Sequence, residues 1–381
     1  MVAVAFDTSP PFSLLVLSGD GIGPEVTDQT LRIVSWFKSR MRLPIEITHA
    51  LVGGASIDAH DTPIADAVVA RAKKSHAVLF GAVGGAQWDA LPVARRPEAG
   101  LIRLRRELDL FVNLRPAVCY PELTGASSLH APLVEGLDLL IIRELTSGVY
   151  FGQPRGTEQL SPGRYRAFDT QAYTSDEIER VVHAAFRAAR GRSGRLCSVD
   201  KANVMETGRL WRQIADEISC DYPDVELTHM YADNCVMQLM RRPKQFDVIV
   251  TDNLFGDMLS DVAAMLTGSL GLLPSASLAG FGSSPRVLGL YEPVHGSAPD
   301  IAGKGIANPL ASVLSFGMCL RYSMGAPEHA STLDEAVRKV LEQGTRTADI
   351  ASPDHVPVSG AIVVDRVLEC LEAMASSGCA H

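Results

Sequence analysis

The chain has 381 residues, enough for about two to three domains, and its 46% hydrophobic and 21% charged content suits a soluble, well-packed α/β protein rather than a disordered one. A formal net charge of −9, relieved only by one short basic patch near 103–106, argues against a nucleic-acid partner. The seven cysteines are odd in number, scattered and never spaced as C-x-x-C, which speaks against a disulfide framework or a zinc site and for a reducing, cytoplasmic setting.

In chain order, the opening MVAVAFDTSPPFS has no basic region and no long apolar core, so no secretion signal is expected. No uninterrupted apolar run approaches the roughly 18 residues of a membrane span. The first strand, LLVLS at 14–18, breaks into GDGIGPEV. Gly19, Gly21 and Gly23 give G-x-G-x-G, with Pro24 where the dinucleotide fingerprint G-x-G-x-x-G has its third glycine. Proline is favourable in a first helical turn. Strand, tight turn and helix start are therefore expected, but the usual pyrophosphate cradle is not. Further strand-like runs fall at 45–51, 77–83, 137–143, 196–200, 225–231, 246–252 and 287–293. Segments of helical periodicity lie between many of them, 176–190 and 205–218 among them, and the chain turns helical after about residue 305. This alternation predicts an α/β fold with a substantially parallel sheet. Thr174 and Ser175 ahead of Asp176 and Glu177 form a helix start. No repeat or low-complexity linker marks a domain boundary.

Four groups of residues could carry chemistry. Arg105 in GLIRLRRELDLF, Arg115 in NLRPA and Arg143 in LDLLIIR could cluster around an anion, since a guanidinium pairs two-pronged with a carboxylate. Each alone reads equally well as a surface residue or an ion-pair partner. Tyr150 in SGVYFG and Lys201 in SVDKANV follow strand ends, where α/β proteins place ligands, although a strand-end lysine is ordinarily just exposed. In NLFGDMLSD, Asp257 and Asp261 are four apart and share one helical face. They form either a solvated acidic face or, given apolar Leu254, Phe255, Met258 and Leu259 around them, the start of an oxygen-ligand cation site that Asp233 could complete. Finally, EPVHGSAPDIAGKGIANP at 292–309 is a long small-residue loop, either a ligand loop or plain surface, and no P-loop occurs.

Taken together, GDGIGPEV, LRRELDLFVNLRPA, IIRELTSGVYFG, SVDKANVMETGRLWR, NLFGDMLSD and HGSAPDIAGKGIANP resemble the isocitrate/isopropylmalate family of β-decarboxylating dehydrogenases, in family order from about residue 13 to about 370. The resemblance implies two α/β domains that differ from a standard Rossmann fold. The first is discontinuous, 1–110 with 268–381; the second, 111–267, carries a dimerisation arm around 145–172. It implies a homodimer with shared active sites, NAD, and Mg2+ or Mn2+. Arg105, Arg115 and Arg143 resemble the clamp on the substrate's two carboxylates. Asp257 and Asp261 resemble metal ligands of one subunit, and Asp233 and the base Lys201 are implied to come from the other. Tyr150 resembles the acid that protonates the enol. Glu98 matches a residue beside the nicotinamide, and His295, Gly296, Ser297, Ala298, Pro299 and Asn308 belong to the loop around the adenosine. Asp300 resembles the acid that bonds both ribose hydroxyls, which favours NAD over NADP.

Within the family the resemblance implies oxidative decarboxylation of 3-isopropylmalate, as in leucine biosynthesis. Leu101 and Ile102 precede Arg105 by four and three residues and share its helical face, which suits an isopropyl substituent, while Arg103 is rotated away. Ile102 and Ser147 stand where leucine and glycine are usual, the loop 278–289 is slightly long, and the leading dozen residues have no counterpart. A bulkier alkyl- or arylmalate, D-malate or tartrate, or a silent regulatory subunit are the alternatives. The last is disfavoured because Lys201, Tyr150, Asp233, Asp257 and Asp261 are all present.

Overall fold

The computed structural model describes residues 11–127, 129–282, 286–352 and 355–378. The start of the leading segment, positions 283–285 of the 278–289 loop and Cys379 lie outside the described residues. The other six cysteines are free thiols, and no described helix is long and apolar enough to cross a membrane.

The strands are β1 (Phe12–Gly19), β2 (Ile45–His49), β3 (Ala77–Ala82), β4 (Val112–Val118), β5 (Asp138–Glu144), β6 (Gly156–Ser161), β7 (Arg164–Phe168), β8 (Arg195–Asp200), β9 (Glu226–Tyr231), β10 (Val248–Thr251), β11 (Pro274–Leu278) and β12 (Gly289–Pro293). The helices are α1 (Gly23–Arg40), α2 (Gly54–His60), α3 (Asp66–Lys74), α4 (Glu98–Glu107), α5 (Ala131–Val134), α6 (Ser175–Arg190), α7 (Glu206–Ser219), α8 (Ala232–Arg241), α9 (Asn253–Thr267), α10 (Leu310–Tyr322), α11 (Pro327–Glu342) and α12 (Gly360–Gly378). Every expected strand run is present. β4, β11 and the β6–β7 hairpin are added to them.

Ten strands form one sheet in the order β2-β1-β3-β12-β11-β4-β5-β10-β8-β9, and β6 pairs β7 separately. The outer pairings are parallel, as expected. The centre is not: β11 runs antiparallel to both β12 and β4, and β4 antiparallel to β5. The first five strands in sheet order come from residues 12–82 and 274–293, the other five from 112–251.

The pleat sends successive side chains to opposite faces, and the two faces are covered differently. On one face Leu14, Val16, Leu79, Leu114, Ala276, Ile142 and Val250 join a single core with α1, α6, α7, α10, α11 and α12. On the other, two separate cores form. Leu15, Leu17, Val78 and Phe80 pack with α3 and α4 residues Val69 and Leu104, whereas Leu139, Ile141 and Ile249 pack with α8 and α9 residues Leu239 and Leu259. Between these two lies the antiparallel centre of the sheet, where Ser275, Arg115 and Glu292 border an open cavity instead of a packed helix.

Helix entry follows local chemistry. Thr174 caps α6 as a full capping box: its hydroxyl accepts from Glu177 N and the Glu177 carboxylate accepts from Thr174 N at 2.8 Å. Pro24 sits in the first turn of α1. The turn before it needs left-handed backbone at Gly19 (φ 73°), and a Cβ there would lie 1.9 Å from Ala82 O. Gly19→Ala should therefore destabilise the fold by about 2–3 kcal/mol or more, read from urea midpoints. A variant as stable as the parent would contradict this account of the turn.

Candidate active site

The glycine turn and the 294–309 loop meet at the carboxyl ends of β1, β3 and β12. Ile22 N donates to Ser297 O at 2.8 Å, and a Cβ on Gly21 (φ 57°) would lie 2.0 Å from that same oxygen. Asp20, nearly buried, holds the turn from beneath by accepting from Gly54 N, Ala55 N and Gly84 N at 2.8, 2.8 and 3.0 Å. Along the loop Ser297 is buried, Gly296, Pro299 and Asp300 are exposed, and Ala298 adopts positive φ (37°). Burial, the main cause, lowers the proton affinity of the His295 imidazole. Asn308 Nδ2 donates to Asp349 Oδ2 at 3.0 Å. The loop backbone therefore lies directly against the glycine turn, with the Asp300 side chain exposed beyond the contact.

A cavity of about 190 Å³ opens beside the start of this loop, lined by Glu98, Leu101 and Arg105 of α4, Arg115 of β4, Glu292 of β12 and His295. Arg105 Nη2 donates to Glu292 Oε1 at 2.6 Å, both side chains being largely buried. Arg103 turns away, as expected, and pairs with Asp66 at 2.7 Å. Leu101 faces the cavity, but Ile102 does not border it in the single chain and is 37% exposed.

Arg115 connects the cavity to α9. Its guanidinium donates to Ser260 Oγ at 2.8 Å and Asn113 Oδ1 at 2.9 Å, and it lies 3.7 Å from Asp257 and 3.9 Å from Asp261. Arg143 is ion-paired with Asp257, and its guanidinium carbon lies over the Tyr150 ring, 5.4 Å from the ring centre. Tyr150 O–H donates to Asp257 Oδ2 at 2.7 Å. Burial and the Arg143 charge pull Arg115 down to about 10, and burial lowers Arg143 as well. Burial resists the charge on Asp257, but Arg143, the Tyr150 hydroxyl and Arg115 outweigh it and leave the carboxyl below its usual range. Asp261 moves the other way, raised by burial and by the Asp257 charge. An acidic oxygen pair of this kind, short of positive charge on its Asp261 side, fits a hard divalent cation. Partial burial and the bond to Asp257 raise the Tyr150 phenol, keeping its proton in place.

Lys201 and Asp233 form a second cluster. Lys201 follows β8, Asp233 lies in the first turn of α8, and Nζ meets Oδ1 at 2.5 Å. Among the described residues no three His, Cys, Asp or Glu side chains converge as a metal site. Within one chain Asp233 thus stands with Lys201, not with Asp257 and Asp261. Lys201 also borders a very small cavity with Tyr173, Trp211, Asp252 and Phe255. Asp252 caps α9 by accepting from Phe255 N at 2.8 Å, and its other oxygen accepts from Gln171 at 2.9 Å.

Three participants escaped the sequence reading. Glu292 and Asp349 are ordinary acids in a chain rich in them, and Asn253 lies inside a motif read only for its aspartates. Nothing but proximity in the fold marks them.

The family described as isocitrate/isopropylmalate dehydrogenase matches residues 13–367. The chain is 56% identical over 363 residues to a 3-isopropylmalate dehydrogenase of Cereibacter sphaeroides, covering 95% of this chain and 98% of that protein. It is 55% identical over 364 residues to one of Rhodospirillum rubrum, with the same coverage. Among solved structures, isocitrate dehydrogenase from Methylococcus capsulatus superposes with a TM-score of 0.82 at 31% identity, covering 94% of this chain and 99% of that one. A β-decarboxylating dehydrogenase from Thermococcus kodakarensis in its apo form gives 0.76 at 30% identity, covering 97% and 99%.

Burial raises Asp252 from the ordinary 3.8 to about 6. Between those values the folded chain holds a proton that the unfolded chain has lost, so this group's contribution to stability falls as pH rises from about 4 to about 6. At about 1.4 kcal/mol per pKa unit the ceiling is about 3 kcal/mol. Asp252→Asn should remove that component, so its stability relative to the parent should rise across this window in urea titrations. A constant difference between the two proteins would refute the assignment.

Proposed function

The chain belongs to the isocitrate/isopropylmalate dehydrogenase family, and we propose that within it the protein carries out the NAD-dependent, metal-requiring oxidative decarboxylation of (2R,3S)-3-isopropylmalate to 4-methyl-2-oxopentanoate and carbon dioxide, in leucine biosynthesis in the cytoplasm. The observation that carries the substrate assignment is the wall of the cavity. Leu101 faces it one helical turn before Arg105, and Arg103 of the same helix is engaged by Asp66 outside it. A charged third substituent would be buried against an aliphatic side chain at a cost of several kcal/mol, whereas an isopropyl group is welcome there. The names of the relatives at 56% and 55% identity agree.

In this reading Arg105, Arg115 and Arg143 hold the two malate carboxylates, which take over from Glu292 and Asp257 as partners of already buried guanidiniums. Lys201 Nζ receives the proton of the C2 hydroxyl. Asp257 and Asp261, with Asp233 of the partner subunit, would hold Mg2+ or Mn2+, which supplies polarisation of the C2 oxygen. The glycine turn and the His295–Asp300 loop would hold NAD, which supplies the hydride acceptor. When the carboxylate on C3 leaves as carbon dioxide, its bonding electrons stay on C3, and the Tyr150 O–H delivers the proton there. Asp257 orients that hydroxyl at 2.7 Å.

A homodimer follows from the same reading. Met237 and Met240 of α8 and Met258 and Met265 of α9 are exposed on neighbouring helices, an apolar face that a second copy would cover. Every residue of the β6 strand is exposed, as an arm reaching toward a partner would be. Lys201 and Asp233 would then serve the neighbouring site. We assign the two halves of the sheet to two domains, 1–110 with 268–381 and 111–267.

Initial rates of NADH formation with Mg2+ test the proposal. kcat/KM for 3-isopropylmalate should exceed that for isocitrate, D-malate and a benzyl-substituted malate; a preference for any of these would displace it. Lys201→Ala should lower kcat about 10²–10⁴-fold without loss of the folded state by circular dichroism. Turnover at the parent rate would remove Lys201 from the role of base.

A further inference from the structure

Arg143 has five N–H donors, and the structure spends them unequally. One Nη1 hydrogen goes to Asp257, and Nε donates to Asn253 Oδ1 at 2.9 Å. Asn253 opens α9, is 1% exposed, and uses every polar group it has near this point. Its Nδ2 donates to Ser147 O at 2.9 Å, and its backbone N donates to the Tyr173 hydroxyl at 2.9 Å. The amide can face only one way, because Nε can only donate and the Ser147 carbonyl can only accept. Gly256, one residue before Asp257, lets the arginine stem lie against α9: a Cβ there would come within 2.6 Å of Arg143 Cγ.

We propose that Asn253 is the positioning residue for Arg143, occupying Nε so that the guanidinium cannot turn its Nε–Nη2 fork onto Asp257 and Nη2 stays available to a substrate carboxylate. This rests on the reading of Arg143 as a carboxylate-binding residue. With Nε unclaimed, the stronger arrangement for an isolated arginine and aspartate is the parallel fork, which would turn Arg143 from the substrate toward α9.

Calorimetric titration of the full-length protein with 3-isopropylmalate in the presence of Mg2+ tests this. Asn253→Ala should weaken binding about tenfold, the size expected for losing a hydrogen bond to a charged group, while the KM for NAD stays unchanged. Arg143→Lys should also weaken binding, and the double variant should bind no worse than Arg143→Lys alone, because Asn253 acts only through the guanidinium. Parent-like binding by Asn253→Ala beside impaired Arg143→Lys would overturn the proposal, as would additive losses in the double variant. Parent-like binding by Arg143→Lys would overturn the assignment of Arg143 itself, and this proposal with it. If Asn253→Ala does not fold, Asn253→Ser replaces it: its side chain is too short to reach Nε, so it should weaken binding by a similar factor, and unchanged affinity would refute the proposal.

Discussion

Two arginines, Arg115 and Arg143, are buried on one face of the central strands, and a buried guanidinium is tolerated only with its charge met and its donors filled. Asp257 meets both, directly for Arg143 and at 3.7 Å for Arg115. Because Asp257 stands on the second turn of α9, that single carboxylate fixes where the helix must start. The start is in turn secured by Asp252, which caps it, and by Asn253, which bonds both to Arg143 and to the loop after β5. Removing Asp257 alone would leave two cations in low dielectric with one partner fewer, so the site and the packing of α9 rise or fall together.

The same charges explain why the sheet has a bare centre. One core runs unbroken beneath all of it, but above the antiparallel strands the cores under α3–α4 and α8–α9 stop short of each other. No apolar helix could be laid over Arg115, Ser275 and Glu292 without desolvating them. The polar residues that forbid a helix there are those that line the cavity. Exclusion of packing and creation of a binding place are one event.

Much of this was legible in the residue pattern. The apolar runs named every parallel strand, the Thr174–Glu177 box marked its helix, and the spacing of Asp257 and Asp261 put them on one face of α9. The central strands were not legible for a physical reason. β4 reads VNLRPAV, carrying Asn, Arg and Pro in a strand with partners on both sides, and β11 reads PSASL, with small residues. Their polar atoms are satisfied across strands, as when Asn113 Nδ2 donates to Ser275 Oγ at 2.9 Å and Ser277 Oγ at 3.1 Å. Hydropathy records the cost of such atoms but not the partners that offset it. Pairings such as Arg105 with Glu292, 187 positions apart, are equally invisible to spacing. Lys201 and Asp233 lie together and apart from Asp257 and Asp261 in the folded chain, an arrangement that spacing does not record.

The order of strands in the sheet also sets a timetable for synthesis. The half containing β4, β5, β8, β9 and β10 is encoded without interruption and can pair its strands as they leave the ribosome. β3, by contrast, finds its inner neighbour only when Gly289–Tyr291 arrive to pair with Ala77–Leu79, about 10–40 seconds of translation later at ordinary elongation rates. Until then Val78 and Phe80 have no β12 beside them. The nascent chain therefore carries an open, hydrophobic sheet edge for most of its elongation, the stage at which a chaperone has most to protect.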